Sequence, residues 1–108
     1  MDLTPVIDIL ESQFRRKDEP KVNQWYNEIH MPILMKSNKV QSISIYKAMG
    51  DSADLVRYFI ICKYASQKDF EAFLASQEFK EAGKDSPDNQ TLKTYRPVHC
   101  ELVREWKR

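Results

Sequence analysis

The stretch Trp25-Tyr26-Asn27-Glu28-Ile29-His30-Met31-Pro32 decides how the chain is read. It sets two large aromatics, a carboxylate and a histidine within two helical turns, then closes with a proline. On a helix advancing about 100° per residue, with Val22 as zero, Trp25 falls near −60°, Ile29 near −20°, Tyr26 near +40° and His30 near +80°. The apolar residues form a stripe roughly 100° wide, enough to cover one face of a sheet. His30 sits on the edge of that stripe, where an imidazole can face a cavity rather than water or closed core. Upstream, Asp18 is placed to cap the helix and Pro20 suits its first turn. Downstream, Pro32 disfavours helical geometry at Met31 and marks an end or a kink.

Working outward, the hydrophobic period changes along the chain. Residues 6–14 are apolar with β-branched members and run into the charged segment Arg15-Arg16-Lys17-Asp18-Glu19, a strand followed by a loop. Residues 40–49 alternate, with Ile43 and Ile45 on one face and Val40, Ser42, Ser44 and Tyr46 on the other. Residues 50–54 form a turn, and 55–64 are apolar on both faces, as in a central strand of a hairpin. A second helix begins near Gln67 and buries Phe70, Phe73 and Leu74. Phe79 lies on the far side of that helix, so Ser76 is read as the cap of a second short helix that carries Phe79 and Ala82 and stops at Gly83. A polar loop covers 84–90. A last strand spans 94–106, pushed toward an edge by Pro97.

The order is β-α-β-β-α-β, the ferredoxin-like split unit, an α+β fold with a four-stranded antiparallel sheet in one domain over residues 1–108. Two helices cover one face of such a sheet. The other face carries Tyr46, Tyr58 and Tyr64 under some assignment of sides, and needs a partner. A second copy of the chain is the cheapest one, and two sheets face to face make an eight-stranded dimeric barrel.

Composition bounds the function. Hydrophobic residues make up 42% of the chain and aromatics 11%, enough for a packed core. Seventeen basic residues against 16 acidic ones leave a formal charge of +1, which gives no electrostatic footprint for nucleic acid or an anionic membrane. No apolar run approaches a membrane span, and Asp8 and Glu11 break up the N-terminal apolar run, so no signal peptide is expected. Cys62 and Cys100 have no metal-ligand spacing and read as reduced thiols in a cytoplasmic protein.

The Trp-Tyr-x-Glu-x-His-x-Pro segment at 25–32 resembles the dimeric α+β barrel superfamily, particularly its EthD-like branch. Ala72-Phe73-Leu74-Ala75-Ser76-Gln77-Glu78-Phe79 resembles that superfamily's broken second helix. The resemblance implies a cleft between helices and sheet that binds small, often aromatic or polyketide-like molecules. Members include cofactor-free monooxygenases, isomerases, cyclases, decarboxylases and haem-handling enzymes. It also implies His30 as the position to carry over, with Trp25, Tyr26 and Pro32 around it. A haem-degrading site would want asparagine, tryptophan and histidine spread over sheet and second helix, a pattern this chain does not show.

The expected site is a cleft lined by His30, Tyr26, Trp25 and strand residues such as Phe59 and Ile61. His30 would act as acid/base without metal or organic cofactor. One ring nitrogen would donate to a carbonyl or another ordered group, which fixes the tautomer and leaves the other nitrogen free toward a cavity. Each residue also has a plainer reading: His30 as a helix C-terminal cation, Tyr26 and Trp25 as packing. His99 and Glu101 on alternate strand positions make a weak metal pair, and a solvated or interface strand face is the better account. Three functions stay open. The chain is an enzyme acting on an enolisable or phenolic molecule, a non-catalytic small-molecule binder, or an oligomerisation module.

Overall fold

A computed structural model describes residues 3–50, 52–88 and 90–108. Asp51 of the expected 50–54 turn and Asn89 of the 84–90 loop lie outside the described residues. Strand β1 (Val6–Arg15) is the spine of the sheet. It pairs antiparallel with β3 (Leu55–Tyr64) along its whole length, from Val6 opposite Tyr64 to Arg15 opposite Leu55. β2 (Val40–Lys47) lies outside β3, and the short strands β4 (Lys93–Thr94) and β5 (Val98–Glu101) lie on the far side of β1. The spatial order is β2-β3-β1, then β4 and β5 end to end. This is the expected ferredoxin-like α+β architecture, with its last strand in two pieces.

That last strand corrects the expected span of 94–106. Thr94 stands opposite Ser12 and Val98 opposite Ile9, so four steps along this chain segment match three along β1. The extra residue falls at Arg96-Pro97. Proline has no N–H for the ladder, and a one-residue excess is the signature of a bulge. Past Glu101 the chain keeps one link to β1's approach, the Leu102 N–H donating to the Pro5 carbonyl at 2.8 Å.

The first helical segment runs further than its proline suggests. It comprises α1 (Glu19–Trp25), a wide π-turn at Tyr26–His30 and α2 (Met31–Leu34). Met31 keeps right-handed helical angles, φ −68° and ψ −41°, despite the following Pro32. The reason is local. Pro32 cannot donate the bond that an ordinary turn would ask of it, and the wider turn routes the Met31 N–H to the Tyr26 carbonyl instead. Such single π-turns within α-helices are frequent at functional sites.

The second helical layer is broken where Ser76 was expected to break it. α3 (Gln67–Leu74) is capped by Ser66 Oγ, which accepts from the Asp69 N–H at 3.2 Å. α4 (Gln77–Glu81) is capped by Ser76 Oγ, which accepts from the Phe79 N–H at 3.2 Å. The reset in direction lets Phe73 and Phe79 meet edge to face, with centroids 5.3 Å apart.

Alternation along the strands sorts the sheet into two faces. Toward the helices stand the rows Lys47-Tyr58-Ser12-Thr94, Ile45-Ile60-Leu10, Ile43-Cys62-Asp8-His99 and Val40-Tyr64-Val6-Glu101. Toward the open side stand Tyr46-Phe59-Glu11, Ser44-Ile61-Ile9-Val98 and Ser42-Lys63-Ile7-Cys100. Tyr58 and Tyr64 therefore belong to the covered core, at 6% and 1% exposure, and only Tyr46 of the three tyrosines faces outward. The open face remains apolar at its centre, with Tyr46 60% and Val98 59% exposed.

Candidate functional site

The π-turn changes which aromatic meets His30. On a regular helix, residues five apart lie roughly 140° from each other, so Trp25 and His30 would point to different sides. Here their rings stack, with centroids 4.3 Å apart and planes inclined by 23°. Tyr26, one ordinary turn away, meets His30 by its edge at 5.8 Å. Both aromatics are tethered. The Trp25 indole N–H donates to the Lys84 carbonyl at 3.0 Å, and the buried Tyr26 hydroxyl donates to Ser12 Oγ at 3.2 Å.

His30 is tethered too. Its Nδ1–H donates to the carbonyl of Ala82, the residue that ends α4. The last carbonyls of a helix lack partners within it. The acceptor expected beside His30 is thus an orphan carbonyl of α4 rather than of His30's own helix. That bond fixes the tautomer and leaves Nε2 bare, with no hydrogen-bond partner among the described residues. Among those residues, no buried side-chain nitrogen or oxygen lacks a partner, so Nε2 reaches open space. Burial lowers the His30 pKa, opposed by the bond to Ala82, so the ring is neutral at pH 7.

His30 lines a cavity of about 660 Å³ between the helices and the sheet. Its floor is Leu10, Ile60, Cys62 and Tyr64, and its walls include Tyr26, Met31, Leu34, Phe73 and Phe79. His30 and Tyr26 border it as expected. Burial raises the Tyr26 pKa, so its hydroxyl stays protonated as a donor. Burial likewise pushes the Cys62 thiol up to about 11, which keeps it from acting as a thiolate nucleophile at neutral pH.

Three expected lining residues are placed elsewhere. Phe59 and Ile61 point to the open face, because their neighbours Ile60 and Cys62 take the positions toward the helices. Arg57 and Lys63 share the parity of Phe59 and Ile61, and that pair of charges was the available signal for the less covered side. Trp25 does not border this cavity. It backs His30 from behind and borders a separate surface cleft together with Asp85, Ser86, Pro87 and Asp88. Asp8, Met31, Leu34 and Ala82 were not expected at the site. Asp8 and His99 are cross-strand neighbours, with His99 Nδ1–H donating to Asp8 Oδ1 at 2.6 Å.

Among the described residues no group of three or more His, Cys, Asp or Glu side chains is arranged to hold a metal ion. No described helix is long and apolar enough to cross a membrane. Cys62 and Cys100 are free thiols, facing opposite sides of the sheet.

No protein-family model matches the chain, and no curated protein matches it significantly. Solved structures do. A candidate antibiotic-biosynthesis monooxygenase from Bacillus cereus superposes with a TM-score of 0.73 at 8% identity, covering 97% of this chain and 99% of that one. An EthD-family protein from Bacillus halodurans gives 0.64 at 14% identity, covering 91% and 99%. A dimeric ferredoxin-like protein from an uncultured marine organism gives 0.67 at 19% identity, covering 95% and 99%. At these identities the likeness is one of fold: the chain shares the ferredoxin-like α+β architecture of these proteins.

Proposed function

We propose that the chain binds a small apolar or aromatic organic molecule in the cavity beside His30 and moves a proton on it. The observation that carries this reading is the state of the imidazole. Nδ1–H is committed to the Ala82 carbonyl, while the bare Nε2 reaches open space at a cavity with apolar walls. A neutral Nε2 can accept a proton from an enolisable C–H or a phenolic O–H. The imidazolium so formed keeps its bond to Ala82, and burial favours its return to the neutral form. Tyr26, its hydroxyl proton given to Ser12, holds the aromatic wall beside His30 in place. The B. cereus relative, described as a candidate monooxygenase, supports small-molecule chemistry on this fold.

In this reading the working unit is a homodimer in the cytoplasm, joined through the open sheet face around Phe59, Ile61, Ile9 and Val98. The marine relative described as dimeric supports it. The interface should exceed the roughly 1,000 Å² of a stable biological contact. Light scattering at micromolar concentration should give twice the mass of the chain; the mass of one chain would refute the dimer.

The cavity is tested by native mass spectrometry of the protein purified from its own host, beside His30→Ala made the same way. An apolar compound carried by the wild type and lost or diminished in the variant is expected. Retention in both, with no turnover by the wild type, would leave a non-catalytic binder. No bound compound in either, and no uptake of apolar compounds on addition, would overturn the reading.

A further inference from the structure

Besides His30, the described lining of the cavity includes one carboxylate, Asp8, and one amine, Lys80 on α4. Asp8 stands on β1 in the row Ile43-Cys62-Asp8-His99, so its side chain points toward the helices beside the thiol that forms the floor. It lines the cavity, and its side chain is 16% exposed. One oxygen, Oδ1, accepts from His99 Nδ1–H at 2.6 Å. His99 is itself fixed. Its Nε2 lies 2.6 Å from the side-chain amide of Gln67, whose N–H can donate to it, and its ring stacks on Phe70 at 4.0 Å. The carboxylate is thereby aimed rather than free to rotate, and Oδ2 has no protein partner among the described residues. Its charge is felt across the floor: after burial, Asp8 is a further cause that raises the Cys62 thiol.

Oδ2, an acceptor with no protein partner among the described residues, is open to a donor from whatever fills the cavity. Four strand residues, about 13 Å of rise, separate Asp8 from Ser12, which anchors the Tyr26 hydroxyl. His30 lies against Tyr26. His30 is also tied to Ala82, which packs with Val6 and Tyr64 near Asp8, so both polar groups border one cavity with apolar surface around them.

We infer that Asp8, aimed by His99, is a second anchor of this cavity and takes a protonated amine of the ligand. The inference rests on the reading of the cavity as the ligand site. It narrows the ligand to an apolar molecule that carries both a hydroxyl or enol and a basic nitrogen.

Two probes differ by one aminomethyl group: 2-naphthol and 6-(aminomethyl)-2-naphthol. Their affinities are measured by titration for the wild type, Asp8→Asn and His30→Ala. In the wild type the aminomethyl compound should bind about tenfold more tightly than 2-naphthol, the gain of one partly desolvated charge pair. Asp8→Asn should remove that preference, so that the two probes bind it alike, whereas His30→Ala should weaken both probes together. Equal or weaker binding of the aminomethyl compound by the wild type overturns the inference without recourse to any variant. A preference that survives in folded Asp8→Asn also overturns it. If 2-naphthol binds and depends on His30 while the amine earns no preference, only the role of Asp8 falls. If neither probe binds, the cavity reading falls and this inference with it.

Discussion

Trp25→Ala separates the helical phase described above from its alternatives. Trp25 is 8% exposed, stacks on His30 and donates its indole N–H to the Lys84 carbonyl. Truncation removes nearly a whole buried indole and leaves a hole that the stiff sheet beneath cannot close. Buried tryptophan-to-alanine changes cost about 3–5 kcal/mol, and loss of the Lys84 bond places this one toward the upper end. Trp25→Phe keeps most of the ring but not the N–H, so it should cost less, about 1–2 kcal/mol. Gln24, the neighbouring residue, is exposed and reaches only Glu28. Gln24→Ala should change stability by less than about 0.5 kcal/mol. Urea unfolding at one fixed protein concentration measures all three, with an unchanged slope as the check that only stability has moved. Equal losses at Trp25 and Gln24 would refute the placement of the stripe. Equal losses for the alanine and phenylalanine variants would refute burial as the main contribution.

Two further outcomes follow. The folded state holds His30 below its ordinary pKa, whereas the unfolded chain protonates it near pH 6.5, so in that window the unfolded state binds more protons. The His30 contribution to stability is fully present above about pH 6.5 and is lost on acidification through the lowered value. Between pH 7 and pH 5 the wild type should therefore lose more stability than His30→Gln, and equal losses would exclude burial of a neutral ring. Thiol titration in denaturant should count both cysteines, while Cys62 in the native protein should react slowly at neutral pH, its thiol being held near 11; a fast native reaction at Cys62 would contradict its place on the cavity floor.

The parts legible in the sequence were those where local chemistry and hydrophobic period agree. Ser76 announced the break between α3 and α4, because one helix could not bury both Phe70 and Phe79. The alternation in β2 and the position of His30 at the edge of its stripe were equally readable. Three things were hidden, each for a physical reason. The π-turn depends on how the backbone answers the missing N–H of Pro32, and it moved His30 from Tyr26's face onto Trp25. Strand β3 is apolar on both sides, so its period gives no parity, and Phe59 and Ile61 were placed on the wrong face despite the hint from Arg57 and Lys63. The bulge at Arg96-Pro97 shifts register by one residue, which no reading of the final strand alone reveals. Asp8 was invisible as a site residue because its partner His99 is distant in sequence and meets it only through the sheet.

The central claim is that His30 presents a bare, neutral Nε2 to the cavity while Nδ1 is held by Ala82. Long-range proton–nitrogen NMR of the His30 ring tests it most directly. The account predicts a single neutral tautomer at pH 7 with the proton on Nδ1, passing to imidazolium only below the ordinary histidine range. A proton on Nε2, or an imidazolium that persists at pH 7, would contradict it.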